Sequence, residues 1–141
     1  MPLIEERDRA QIRKILGPMT SPVRLLNFTQ TLECETCHDT QLLLEELVSL
    51  SDQLSLEVYN YTLDKEKVAE FAIDKIPAIA IVGDRDRGIR YYGIPAGFEF
   101  ASLLEDLIMV SNNDSGLDPH TREKLANLTK PLHLQVMVTP T

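Results

Sequence analysis

The chain has no tryptophan, only two cysteines in its 141 residues, and no long apolar run. Two cysteines three positions apart cannot staple a small secreted fold, so a disulfide framework is excluded. No apolar stretch approaches the roughly 20 residues that a membrane helix needs. Positive charge is also short: 14 Lys and Arg stand against 22 Asp and Glu, a net charge of −8. An acidic surface repels phosphate backbones and anionic lipid, so neither nucleic acid nor a membrane surface is an expected partner. The segment Met1–Asp8 is too charged for a secretory signal. The expected compartment is therefore the cytoplasm, where thiols stay reduced.

Enough is present for one core. Hydrophobic residues make up 43% of the chain, and a chain of this size buries roughly two thirds of its unfolded surface without help from a disulfide or metal. Residues 3–16 read as a helix stopped by Gly17-Pro18. Val23 to Thr29 is a short apolar strand, and residues 34–50 are helical, with Leu43, Leu47 and Leu50 on one stripe. Leu54, Leu56 and Val58 alternate in a strand running to about Tyr61, and Asp64 is placed to cap a short helix over 64–73. A third strand covers 76–82, opened by Pro77; a fourth covers 89–92, and an amphipathic helix covers 98–110. The order α, β, α, β, α, β, β, α predicts an α/β fold with a central mixed sheet and helices on both faces. Beyond it, Asp118-Pro119 opens a further helix ending near Leu128. Leu132 to Val138 then reads as a strand, and Pro131-Leu132-His133-Leu134 echoes Pro22-Val23-Arg24-Leu25 as a weak internal repeat. Such a strand presents an unpaired edge, a candidate for pairing with a second copy of the chain.

The chemistry centres on Cys34-Glu35-Thr36-Cys37. The motif follows a strand and opens a helix, where unpaired N–H groups and the helix dipole favour a thiolate. Helical spacing of three puts both sulfurs on one face, close enough to bridge. Cys34, nearer the solvent, is the attacking thiol, and Cys37, one turn inside, resolves the mixed disulfide. Glu33 and Glu35 bracket Cys34, and like charge opposes thiolate formation, so a moderate nucleophile is expected, offset in part by His38. Four readings of the motif stand open. Two ordinary buried cysteines are one. A zinc half-site is another, with only His38, His120 and His133 left as nitrogen donors. Covalent haem is a third, because Cys34-Glu35-Thr36-Cys37-His38 fits that attachment pattern. The strand–CxxC–helix context favours the fourth, a thioredoxin-like dithiol needing no cofactor and no metal beyond its own disulfide.

The resemblance reaches further than this motif. Ile73-Asp74-Lys75-Ile76-Pro77-Ala78 and Arg90-Tyr91-Tyr92-Gly93-Ile94-Pro95-Ala96-Gly97-Phe98-Glu99-Phe100 resemble the N-terminal unit of the archaeal and bacterial protein disulfide oxidoreductases, also called glutaredoxin-like proteins. That family carries two tandem thioredoxin-fold units and the run R-Y-x-G-x-P-A-G-x-E-F. The resemblance implies a thioredoxin-like fold with an extra N-terminal helix (1–17), the unit itself (18–112), and a linker helix with the first strand of a truncated second unit (113–141). Val138-Thr139-Pro140-Thr141 resembles the segment that precedes the second Cys-Pro-x-Cys in the family. The resemblance implies a cis peptide before Pro77 and a role for Ile76 and Pro77 in binding an extended substrate. It implies exchange with protein disulfides and thiols, and a relationship to the N-terminal domain of the flavin-linked alkyl hydroperoxide reductase. A flavin-dependent reductase and a peroxiredoxin are thus candidate partners. A second reading is a non-catalytic docking or electron-relay domain of a tandem protein. One departure concerns the strand before the motif: where thioredoxin has a buried aspartate, Asn27 and Phe28 offer no carboxylate, leaving Glu57 on the next strand as a candidate substitute.

Overall fold

The computed structural model describes residues 2–139. Met1, Pro140 and Thr141 lie outside them, so the C-terminal run Val138–Thr141 is described only in part. The elements in chain order are α1 (Glu6–Leu16), β1 (Val23–Thr29), α2 (Cys37–Val48), β2 (Leu54–Asn60), α3 (Lys65–Glu70), β3 (Ala78–Val82), β4 (Asp86–Tyr92), α4 (Phe98–Asn112) and α5 (Pro119–Ala126).

The most apolar strands take the middle of the sheet, whose order is β2-β1-β3-β4. β1 runs parallel to β2, with Val23 opposite Leu54 and Thr29 opposite Asn60. It runs antiparallel to β3, with Arg24 opposite Val82 and Phe28 opposite Ala78. β4 closes an antiparallel hairpin on β3, with a register shift between Ala80 and Val82. Every residue of β3 is buried, as expected of a strand covered on both faces.

Alternation along β1 divides the core in two. Val23 and Leu25 join Leu44 and Leu47 of α2, Leu103 and Leu107 of α4, and Ile12 and Leu16 of α1. Leu26 and Phe28 face the other way, onto Phe71 and Ile73 just after α3. The Phe28 ring stacks on Tyr59 with centroids 5.5 Å apart. The sheet is thus mixed and flanked by helices on both faces, as the element order predicts.

Two polar ties fasten the outer segments. The Glu46 carboxylate of α2 accepts hydrogen bonds from the backbone N–H of Leu3 (2.7 Å) and Ile4 (2.9 Å) and from the Arg9 guanidinium (2.8 Å). Residues 3–5 are consequently a strap across α2, and α1 begins at Glu6, later than the apolar pattern predicts. At the far end of α4, the Ser111 hydroxyl donates to the Ser21 carbonyl (2.6 Å) and accepts from the backbone N–H of Thr20 and Ser21 (3.0 Å each). Gly83, after β3, lies against α4; a Cβ there would meet Val110 Cγ1 at 2.7 Å.

Other boundaries move for local reasons. β4 starts at Asp86 because that residue already pairs with Val82 across the hairpin; its carboxylate clasps the Arg90 guanidinium at 2.8 and 2.6 Å. Asp64 occupies the N-cap position of α3 without a capping bond; its carboxylate instead accepts from the Asn60 N–H at 2.6 Å, sealing the preceding turn. Asp118 does cap α5, accepting from the Thr121 N–H at 2.8 Å, with Pro119 in the first turn.

The expected C-terminal strand over 132–138 is corrected. That stretch belongs to no sheet among the described residues, and Leu132, Leu134, Val136 and Met137 are exposed. A strand is held by hydrogen bonds to a neighbouring strand, and among the described residues this segment pairs with none. The helix preceding it, α5, has no buried residue either.

Candidate functional site

One end of the sheet gathers the residues singled out in the sequence. Because β2 is parallel to β1, β3 antiparallel to β1, and β4 antiparallel to β3, the C-terminal ends of β1, β2 and β4 and the N-terminal end of β3 lie together. The loops 30–36, 61–64, 74–77 and 93–97 therefore share one rim.

The first loop carries the cysteines. After Thr29 the chain turns through Gln30, whose side-chain amide donates to the Leu32 carbonyl at 2.6 Å, and through Glu33, which adopts φ 56°. Thr36 is the N-cap of α2. Its carbonyl accepts from both the N–H (2.9 Å) and the hydroxyl (2.7 Å) of Thr40. Cys34 and Cys37 are joined in a disulfide with Cα atoms 5.5 Å apart. Helical spacing does not place them both: Cys37 is the first residue of α2, while Cys34 lies before the cap, in the loop. The bridge reaches across the helix start, in front of its unpaired N–H groups. Cys37 is 1% exposed, whereas Cys34 is partly exposed. Glu33, Glu35 and His38 are exposed around it.

The third loop brings Ile76 and Pro77. Their peptide bond is cis. The Pro77 carbonyl accepts from the Gly93 N–H at 2.9 Å, which ties this loop to the fourth. Since Ala78 pairs with Phe28, Pro77 stands just past the end of β1 that leads to Cys34. Ile76 lies outside β3 and pairs with no strand. Next to it the Lys75 ammonium sits 4.4 Å from the centre of the Tyr92 ring and 2.9 Å from Asp74. The hydrogen bond from Lys75 holds the Asp74 carboxyl below its ordinary range.

The fourth loop, Gly93–Gly97, turns the chain into α4 and walls an apolar groove of about 500 Å³ with Ile4, Ile12, Leu43, Pro95 and Phe100. At its end Glu99 is exposed only in part, and burial pushes its carboxyl up from the usual glutamate range. Three large apolar side chains around the rim are exposed: Leu32 in the first loop, Leu63 in the second, and Phe98 at the start of α4. Sequence reasoning missed these three. For Leu32 and Leu63 the signal is an apolar residue standing alone in a polar turn; Phe98, the first residue of α4, carries no such signal.

Glu57 is not a substitute for the missing carboxylate. It pairs in register with Leu26, on the sheet face away from α2, and is engaged by Arg24 (2.8 Å) and the Tyr59 hydroxyl (2.9 Å). Asn27, in contrast, is fully buried, and neither its amide nitrogen nor its amide oxygen has a partner. Among the described residues no group of three or more His, Cys, Asp or Glu is placed to hold a metal ion, and no helix is long and apolar enough to cross a membrane.

No protein-family model matches the chain. Solved structures do. A protein disulfide oxidoreductase from Aeropyrum pernix K1 is 32% identical, with a TM-score of 0.80 over 91% of this chain and 56% of that one. The NTD_N/C domain of alkylhydroperoxide reductase AhpF from Enterococcus faecalis is 26% identical, with a TM-score of 0.80 over 89% of this chain and 61% of that one. Among curated sequences, an alkyl hydroperoxide reductase component of Xanthomonas campestris pv. phaseoli is 33% identical over 86 residues, 61% of this chain and 14% of that protein. The curated relatives, two of them named NADH dehydrogenase, are much longer; the chain spans 14% to 24% of their length. Fasciola hepatica thioredoxin, at 16% identity, shares the fold with a TM-score of 0.53 over 72% of this chain and 92% of that one. The chain is thus a thioredoxin-fold unit, similar to protein disulfide oxidoreductases and to the NTD_N/C domain of the alkyl hydroperoxide reductase AhpF.

Proposed function

We propose that the chain catalyses thiol–disulfide exchange on protein substrates. The observation that carries this reading is the asymmetry of the bridged pair: Cys34 is partly exposed and Cys37 is enclosed. In exchange, a substrate thiolate attacks the Cys34 sulfur, the Cys34–Cys37 bond breaks, and a mixed disulfide forms at Cys34. In the reducing direction the Cys34 thiolate opens a substrate disulfide, and Cys37 then attacks Cys34 and expels the substrate as a dithiol. Electrons and protons balance within the four sulfurs, so no metal or nucleotide is required. The similarity to a protein disulfide oxidoreductase supports the same reading.

Ile76 and Pro77 form the substrate-binding edge. The Ile76 backbone, unclaimed by the sheet, pairs with an extended substrate segment, while Leu32, Leu63 and Phe98 give that segment an apolar surface. The electron donor is a flavin-dependent reductase, and a peroxiredoxin is a candidate acceptor, in line with the AhpF relatives. The work is done in the cytoplasm. Residues 113–141 are a linker helix and the opening segment of a second unit. In this chain alone, that exposed apolar segment pairs with a second copy to give a dimer. Sedimentation of the full chain against one ending at Gly116 tests this; an unchanged oligomeric state refutes the dimer.

The exchange reading is tested by titrating the Cys34–Cys37 pair against a dithiol buffer, read by alkylation and mass shift. A midpoint between roughly −120 and −270 mV supports exchange. A midpoint below about −300 mV marks a structural disulfide and favours a docking or relay module.

A further inference from the structure

Asn27 is out of place. It lies mid-strand in the centre of the sheet, wholly buried, with both ends of its amide unpaired. Buried polar groups are nearly always satisfied, so an orphaned amide calls for a partner that the present state withholds.

The fold fixes what that partner is. β1 keeps regular register throughout, so Asn27 shares the face of Val23 and Leu25, the face packed by α2. The buried residues Cys37, Thr40, Leu44 and Leu47 form the inner stripe of α2. α2 runs back along β1, and its Leu44 and Leu47 lie in the cluster of Val23 and Leu25. From Leu47 back to Cys37 the helix covers about 15 Å at its usual rise. From Val23 forward to Asn27 the strand covers about 13 Å. Asn27 is therefore level with Cys37 and Thr40. The Thr40 hydroxyl gives its proton to the Thr36 carbonyl, and its oxygen accepts nothing from Asn27. The remaining polar group on that stripe is the Cys37 sulfur, bound to Cys34 in the disulfide.

We propose that Asn27 is a positioning residue for Cys37, whose sulfur its amide engages only when the disulfide is open. This rests on the exchange reading above. Reduction by a dithiol transfers two electrons and two protons: the Cys34–Cys37 bond breaks, the reductant closes its own disulfide, and each protein sulfur gains a proton. The Cys37 S–H then donates to the Asn27 amide oxygen. When Cys37 loses that proton to attack the mixed disulfide, the Asn27 NH₂ donates to the thiolate. An amide serves both states because it both donates and accepts. In the bridged state it has no such partner, so Asn27 favours the dithiol and makes the disulfide readier to accept electrons.

The test compares the full chain with Asn27→Leu, similar in size but without hydrogen-bonding groups. Both are equilibrated in dithiothreitol buffers and read by alkylation and mass shift. The expected result is an equilibrium displaced about tenfold toward the disulfide in the variant, a midpoint roughly 30 mV more negative. A folded Asn27→Leu chain with an unchanged midpoint overturns the proposal. The unaltered chain gives a second reading that survives a misfolded variant: the Asn27 side-chain NH₂ resonances should shift and exchange more slowly with water on reduction. Identical resonances in both states also overturn it. If the wild-type pair is not reduced by the buffer at all, the exchange reading fails first; if it is reduced and Asn27→Leu behaves identically, only the Asn27 assignment fails.

Discussion

Cys34 and Cys37 are bonded across the start of a helix, one sulfur-bearing residue in the loop before the N-cap and the other sealed beneath it. The two sulfurs therefore meet different environments, although the sequence separates them by only two residues. Cys34→Ser should reduce disulfide exchange to the uncatalysed level. Cys37→Ser should instead leave a substrate joined at Cys34, seen as an added mass on the intact protein that dithiothreitol removes. Equal loss without a trapped adduct in either variant would contradict the assigned order of attack.

The strap at Glu46 carries an acid dependence. Burial pushes this carboxyl up, but the N–H groups of Leu3 and Ile4 and the Arg9 charge outweigh that, leaving it lowered overall. A lowered folded-state pKa means the unfolded chain binds the proton more readily. The contribution is thus complete above the ordinary glutamate range and lost as pH falls through the folded value. Glu46→Gln should cost about 1–2 kcal/mol near neutral pH, and the difference from wild type should shrink in acid denaturation below about pH 4.

Ser111 joins two segments through one hydroxyl. Ser111→Ala leaves the Ser21 N–H and C=O without that partner, while the Thr20 N–H keeps Asn112. A loss of about 1–3 kcal/mol is expected in urea unfolding.

Gly83 has no room for a side chain. Gly83→Ala should destabilise by about 1–3 kcal/mol through forced displacement at Val110. Combining it with Val110→Ala should recover part of that loss in thermal melts, since the clash is with Val110 Cγ1.

The sequence reveals the elements whose pattern is local. The apolar run of β1, the alternation in β2 and the stripe of α2 each follow from their own residues, and their order leads to a mixed sheet. What escapes is decided by contacts across the fold. Leu3 and Ile4 look helical until Glu46, far along the chain, claims their N–H groups. Leu132 to Val138 alternates like a strand but pairs with no strand among the described residues, and alternation cannot supply a partner. At the site, Cys34-Glu35-Thr36-Cys37 is legible as a motif, yet the helix boundary between its cysteines depends on Thr36 receiving the Thr40 bonds. Asn27 reads as a missing carboxylate; its unpaired state depends on how α2 lies over β1.

β1 sits between strands that arrive much later in the chain. During synthesis from the N-terminus at about 5–20 residues per second, β3 follows β1 by roughly 50 residues, so the central strand waits several seconds for that partner. Until then β1, the most apolar strand then available, keeps one hydrogen-bonding edge open on the ribosome. During that interval the nascent chain presents an open, apolar strand edge, and a shortened intermediate ending before Ala78 should form large aggregates, seen by light scattering, that the full chain does not.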